Sequence, residues 1–459
     1  MHHEEADGPV VAGNSGNAEG AKGPDSEAAA RRQPKQDGVL GEERGANAKA
    51  FDIPKQVVVE AYRRVKANRG AAGVDGESLR QFEADQKNQL YKIWNRLSSG
   101  SYFPPPVRLV EIEKQGGGIR PLGIPTVADR VAQAVVKLVL EPGVDPQFHV
   151  DSYGYRPGKS AHLAVAQARR RCWLYDWVID LDIKGFFDNL PHDLVERAVA
   201  RHTTLPWVRL YVARWLRAPV QRPDGTQEQR DKGTPQGGVI SPLLANLFLH
   251  YALDRWLQRE YPIVPFERYA DDVILHCRSE QEAQRVLVAV RERLAACGLE
   301  LHPTKTRIVY CKDGRRRQHY EHVSFDFLSY TFRARPARRR DGKLFLGFLP
   351  AISRTKAIAI RQEIAAWRLT SRTSQSLREL ATLTNAAIRG WMNYYGKFYR
   401  SACQRVLQSL NHALVRWAHR KFKSLRRRSL TAARGWLRRV AHRNPTALAL
   451  WQCGVVPYA

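Results

Sequence analysis

The sequence predicts an α+β fold that gives way to an all-helical final quarter, and two patterns carry the prediction. Short runs with β-like alternation, at residues 107–113, 177–183, 266–277 and 306–311, stand among longer stretches with apolar residues at helical intervals. After Pro350 the helical spacing is nearly unbroken, with arginines between apolar and aromatic residues, as in Ile388-Arg389-Gly390-Trp391-Met392-Asn393-Tyr394-Tyr395. A chain of 459 residues accommodates two or three packed domains. The change of pattern places a boundary near 335–350, and no internal repeat is present.

Taken in order, residues 1–50 are rich in Gly, Ala, Glu and Asn and almost devoid of large apolar side chains. They cannot bury enough surface to offset chain entropy, so a disordered tail is expected. Apolar periodicity begins at Phe51, with helical spacing through 57–65 and 79–97, and stops at the breaker run Ser99-Gly100-Ser101-Tyr102-Phe103-Pro104-Pro105-Pro106. The expected division is a tail (1–50), a mixed domain (51–340) and a basic helical domain (341–459).

Charge narrows the function. Lysine and arginine number 74 against 45 acidic residues, a formal charge of +29 with a pI near 10.2, which points to a polyanionic partner and first of all to nucleic acid. The surplus is uneven: residues 1–50 hold 6 basic and 9 acidic side chains, residues 351–459 hold 21 and 2. The six cysteines are scattered without a C-x-x-C pair or a His cluster at ligand spacing, which indicates neither a zinc site nor a disulfide framework. With no bilayer-length apolar run and no export signal, a cytoplasmic protein without membrane contact is expected.

Two acidic motifs carry the chemistry. Val178-Ile179-Asp180-Leu181-Asp182-Ile183 alternates strictly, so on a strand Asp180 and Asp182 share one face while Ile179, Leu181 and Ile183 pack beneath. Taken alone, this reads equally well as a solvated acidic strand face. The second motif, Tyr269-Ala270-Asp271-Asp272, lies between two β-like runs and reads as a hairpin with its aspartates at the tip. Nucleotidyl transfer uses two divalent ions, one activating a 3′-hydroxyl and one holding the triphosphate. Mg²⁺ takes carboxylate oxygens, and two or three aspartates converging from separate strands would suffice. Asp182, Asp271 and Asp272 are the candidates.

Asp182-Ile183-Lys184-Gly185-Phe186-Phe187-Asp188 and Tyr269-Ala270-Asp271-Asp272 resemble the A and C motifs of reverse transcriptases. Asn68-Arg69-Gly70-Ala71-Ala72-Gly73-Val74-Asp75-Gly76, Arg120-Pro121-Leu122-Gly123-Ile124-Pro125 and Gly233-Thr234-Pro235-Gln236-Gly237-Gly238-Val239-Ile240-Ser241-Pro242 resemble group II intron reverse transcriptases, or maturases, in the same chain order. The block around Ile388–Tyr395 is similar to the maturase X or thumb domain, and the resemblance covers about residues 51–450. It implies a right-hand polymerase, with fingers and palm over 51–340 and a helical thumb/X domain after it.

The resemblance implies roles for particular residues. Two Mg²⁺ ions would sit at Asp182, Ile183, Asp271 and Asp272. Phe187 would lie under the sugar and select deoxynucleotides, against a plain core role for its ring. Gln236 and Gly237 would line the nucleotide and template pocket, against a plain strand-to-helix turn, with Ser241 and Pro242 expected as N-cap and first-turn proline of the next helix. Lys114 and Arg120 bracket Gly116-Gly117-Gly118 on a hairpin that could fold over the triphosphate, against solvated surface charge. Lys305 would assist the leaving pyrophosphate.

The basic final quarter calls for a large folded RNA, gripped at phosphates by Arg389, Lys397, Arg416, Arg420, Lys421 and Lys423; the interleaved Trp and Tyr residues read first as helix core. By resemblance the partners are the intron RNA, a DNA target and primer, and deoxynucleoside triphosphates. Many relatives add an endonuclease domain with paired cysteines and histidines; neither is found here, so second-strand cleavage is not expected. Three other readings stand beside this one: a splicing-only maturase, a reverse transcriptase of retron, diversity-generating or defence type, and an RNA-binding protein with incidental aspartates.

Overall fold

The computed structural model describes residues 49–113, 119–339 and 341–458. Lys114 and most of the expected tail lie outside the described residues. Among these, eleven strands form three sheets: β1 (Val107–Glu113), β2 (Ile119–Ile124), β3 (Trp177–Asp182), β4 (Val220–Gln221), β5 (Gln227–Glu228), β6 (Phe266–Tyr269), β7 (Asp272–Cys277), β8 (Arg307–Tyr310), β9 (Ser324–Phe327), β10 (Tyr330–Arg338) and β11 (Leu344–Ile352). The chain is a mixed α and β protein. No helix among the described residues is long and apolar enough to cross a membrane.

The sheet that matters for function has the order β6-β7-β3-β8, antiparallel throughout. Because strand side chains alternate, each face is set by one parity of residues. Ile179, Leu181, Val273 and Leu275 are buried in the larger core, against helices that include Val127–Val144 and Ser241–Leu249. Val178, Ile274 and Val309 face the other way, into a smaller core with helix Ala161–Leu174 and the aromatic rings Phe325, Phe327, Phe332 and Phe348. Asp180, Asp182 and Asp272 are on that second face, beyond its apolar cover.

The sequence reading finds no strand over 324–352, where the structure has β9, β10 and β11 in one sheet. Arginines at 333, 335 and 338 hide the alternation of β10, which buries Phe332 on one face and Ala337 on the other, and the strand is visible only once β11 pairs with it. This sheet joins the two halves of the chain: Phe332 and Phe348 belong to the small core, whereas Leu349, Ala351 and Ile352 belong to the core of the C-terminal helices. Those helices are Arg354–Ala366, Leu377–Tyr395, Arg400–Lys421 and Leu430–Arg443, followed by a short turn of helix at Ala449–Gln452. The longest pair starts cleanly on one side, where Ser376 and Glu379 form a reciprocal capping box ahead of Leu377–Tyr395.

Candidate active site

Register brings the acidic motifs together. Asp182 pairs directly with Asp272, and Tyr269 pairs with Asp272 across the β6–β7 hairpin, whose two loop residues are Ala270 and Asp271. The expected hairpin with aspartates at its tip is therefore present. Ala270 holds a φ of 57°, a conformation that costs a side-chain-bearing residue about 1–2 kcal/mol. Two contacts hold it there. The fully buried Arg268 grips Asp254 with two nitrogens (2.7 and 2.6 Å) and donates to the Ala270 carbonyl (3.2 Å). Gly154 lies so close that a Cβ there would meet the Ala270 nitrogen at 2.4 Å.

The carboxylates line a cavity of about 530 Å³ with Ile183, Lys305, Arg307, Asp326, Leu328, Ser329 and Lys356. Lys305 Nζ is 3.5 Å from Asp182, and Arg307 Nε is 3.5 Å from Asp180. Burial pushes the Asp180 carboxyl up to about 7 against the pull of Arg307. Burial also raises Asp272, the charges of Asp180, Asp271 and Asp182 raise it further, and the Leu328 N–H at 3.4 Å opposes them. Crowded carboxylates that resist ionisation together are a donor set that a divalent cation relieves. Among the described residues no three acidic, His or Cys side chains are drawn to metal-holding geometry, and the fit to such an ion rests on the crowding of these carboxylates in one cavity. Ile183 bridges to Leu301 with its side chain buried, which leaves only its main chain as an oxygen donor.

Gly233–Gly238 is docked on the loop that follows Asp182. Gly233 sits at φ 80°, where a Cβ would meet the Asp188 carbonyl oxygen at 2.7 Å, and the Thr234 N–H donates to the Phe187 carbonyl (2.7 Å). Phe187 is half-buried against Phe186, at 5.3 Å between ring centroids. The Gln236 carbonyl accepts from the Gly123 N–H (2.8 Å), and Gly237 lies against the Gly123 carbonyl, which ties this loop to β2. The β1–β2 hairpin is antiparallel, with Arg120 opposite Ile112.

The structure corrects the expected N-cap. Ser241 is the first residue of helix Ser241–Leu249, whose N-cap position is held by Ile240; the Ser241 hydroxyl instead accepts from Thr234 (2.8 Å). Gln133 does the capping, its Oε1 accepting from the N–H groups of Val239 (2.7 Å) and Ile240 (3.3 Å). A residue 106 positions away, held in place by buried Asp129 (3.0 Å), leaves no local sequence signal. Sequence reasoning also left out Arg307, Asp326 and the Leu328–Ser329 turn. Arg307 could have been found as the residue of β8 that falls opposite Asp180.

In the C-terminal helices, Arg389, Lys397, Arg416, Arg420 and Lys423 are exposed. Lys421 is half-buried, its ammonium donating to the carbonyls of Thr373 (2.8 Å) and Gln375 (3.0 Å). Trp417 is buried and Trp391 stacks on Trp367, in keeping with aromatic residues that serve the helix core.

Comparison with known proteins gives this arrangement its class. Residues 112–332 match the reverse transcriptase (RNA-dependent DNA polymerase) family, and residues 358–436 match the group II intron maturase-specific domain. The chain is 32% identical to protein YkfC of Escherichia coli over 56% of its own length and 77% of that protein. It is 26% identical to the group II intron-encoded protein LtrA of Lactococcus lactis, over 73% of this chain and 68% of that one. A putative COX1/OXI3 intron 1 protein of Saccharomyces cerevisiae is 30% identical over 47% of this chain and 26% of its own. The matched family is that of RNA-directed DNA polymerases. The chain belongs to the group II intron reverse transcriptase/maturase family, whose polymerase domains use divalent metal ions and whose members bind intron RNA.

Proposed function

We propose that the chain adds deoxynucleotides to a primer on an RNA template, with a Mg²⁺ pair held by Asp182, Asp271, Asp272 and the main-chain oxygen of Ile183. The observation that carries this is the pairing of Asp182 with Asp272 beside the Asp271 turn, at the mouth of one cavity. When bound, the ions would supply activation of the 3′-hydroxyl and neutralise the triphosphate. Lys305, 3.5 Å from Asp182, is placed to give charge or a proton to the leaving pyrophosphate. Phe187 and the loop at Gln236 and Gly237 would meet the sugar and template base, and Lys114 and Arg120 would bind the triphosphate.

On this reading residues 51–340 are the fingers and palm of a right-hand polymerase, with β6-β7-β3-β8 as the palm sheet, and residues 341–459 are the thumb and X domain. The exposed arginines and lysines at 389, 397, 416, 420 and 423 would hold intron RNA in the cytoplasm for splicing and for insertion at a DNA target. The test is deoxynucleotide incorporation on a primed RNA template with Mg²⁺, comparing the unaltered protein with Asp271→Asn/Asp272→Asn while RNA binding is followed by salt titration. Incorporation lost and RNA binding kept is the expected result. Tight RNA binding without incorporation by the unaltered protein would leave a splicing-only maturase.

A further inference from the structure

The β9–β10 turn forms one wall of the catalytic cavity and is built from the wrong residues for its shape. Phe327 pairs with Tyr330, so the turn has two residues, Leu328 and Ser329, and both hold positive φ (51° and 69°). Two-residue hairpin turns with positive φ at both positions favour Asn and Gly, because a Cβ crowds the backbone there, at about 1–2 kcal/mol per residue. Leucine and serine do not supply this shape themselves. Contacts from elsewhere must impose it.

Two of those contacts, from Tyr394 and Tyr395, come from the maturase-specific segment, and a third comes from Ser353 ahead of it. The Tyr394 hydroxyl, near the end of helix Leu377–Tyr395, donates to the Leu328 carbonyl at 3.0 Å. The Tyr395 hydroxyl interacts with the Ser329 side chain, and the Ser353 N–H donates to the Ser329 carbonyl (3.0 Å). Tyr394 is itself fixed. Its carbonyl is hydrogen-bonded by the Tyr330 hydroxyl and by His162 Nε2 (3.0 Å), and its ring stacks on His162 at 5.0 Å. On the other side of the turn, the Leu328 N–H donates to Asp272 Oδ2 at 3.4 Å. Burial pushes the Tyr394 phenol up to about 12, so it remains a donor at any working pH.

We infer that Tyr394 is a positioning residue for polymerisation: its hydroxyl fixes the Leu328–Ser329 turn, and that turn orients the Asp272 carboxylate, so the maturase-specific helix sets the geometry of the polymerase site. This rests on the reading of Asp272 as a metal ligand. Groups that orient metal ligands at second hand cost about 10–100-fold in metal affinity or activity when removed.

The experiment uses the full-length protein with Tyr394→Phe, which deletes one hydroxyl and keeps the ring. Tyr211→Phe serves as control, since it deletes another buried tyrosine-to-carbonyl bond (to Leu97, 2.6 Å) outside the site. Rates of single-nucleotide incorporation are measured against Mg²⁺ concentration, together with melting temperature and RNA binding. The expected result for Tyr394→Phe is a rise of about tenfold in half-saturating Mg²⁺ and a rate that recovers at high Mg²⁺, with RNA binding unchanged and Tyr211→Phe like the unaltered protein. An unchanged Mg²⁺ dependence would overturn the inference. So would a lowered rate that no Mg²⁺ concentration restores, accompanied by a lower melting temperature, because that marks a merely structural bond. If Asp271→Asn/Asp272→Asn retains incorporation, the metal reading fails first; if that variant is dead and Tyr394→Phe is normal, only the positioning role fails.

Discussion

Asp180 is the residue whose cost is easiest to isolate. Its side chain is 13% exposed, with its carboxyl near 7 because burial outweighs the pull of Arg307. A carboxyl raised in the folded state binds a proton that the unfolded chain has already released between about pH 4 and 7. Its contribution to stability is therefore complete at low pH and lost as pH rises through 7. In melts with a chelator, the stability of Asp180→Asn relative to the unaltered protein should rise from about pH 4 and level off above pH 7; parallel pH profiles would contradict the assignment. Gly233 offers a second single-residue case. Gly233→Ala adds a Cβ at positive φ, 2.7 Å from the Asp188 carbonyl, and should cost about 1–3 kcal/mol in denaturant unfolding together with loss of incorporation. An alanine variant of normal stability and rate would mean that the two loops need not touch.

At the scale of elements, the β6–β7 hairpin depends on a buried pair that it does not itself complete. Arg268 lies on β6, but Asp254 and Asn246 come from the preceding helical stretch, where Asn246 Oδ1 accepts from Arg268 (2.9 Å) and its amide donates to the Gly154 carbonyl (2.7 Å). Arg268→Met leaves Asp254 charged and buried without its partner, so a loss of about 3–5 kcal/mol is expected in chemical unfolding. Arg268→Met/Asp254→Asn should recover part of it, and a double variant no better than the single would refute the pairing account. The same element marks what could be read in advance. Alternation in Trp177–Asp182 and the Tyr269–Asp272 turn were legible, because a strand face and a short hairpin are local patterns. Not legible was the register that sets Asp182 against Asp272 across some 90 residues of chain, since several antiparallel alignments keep the same faces inward. The β10 strand was hidden for another reason: alternating arginines such as Arg333 and Arg335 read as a basic loop until Tyr399 and Leu349 are seen to cover Arg335, whose guanidinium is 5.4 Å from the Tyr399 ring, while Arg333 stays exposed.

For the whole molecule, composition gave the partner class and the structure sorts the charges that can serve it. A formal +29 draws in any polyanion, but a phosphate contact requires a cation at the surface and not already bound to the protein. Arg416, Arg420 and Lys423 satisfy that at the end of helix Arg400–Lys421 and just beyond it, whereas Lys421, between them in sequence, spends its ammonium on the Thr373 and Gln375 carbonyls. Sequence spacing treats the four alike; only the fold distinguishes them. Alanine at 416, 420 and 423 together should weaken intron RNA binding and reduce the slope of log affinity against log salt by about 0.7–0.9 for each phosphate contact removed. Lys421→Ala should leave that slope unchanged and lower the melting temperature instead, because two carbonyls lose their donor. The reverse outcome, a reduced slope from Lys421→Ala and none from the triple variant, would move the RNA interface away from the end of this helix and onto the face that carries Arg389 and Lys397.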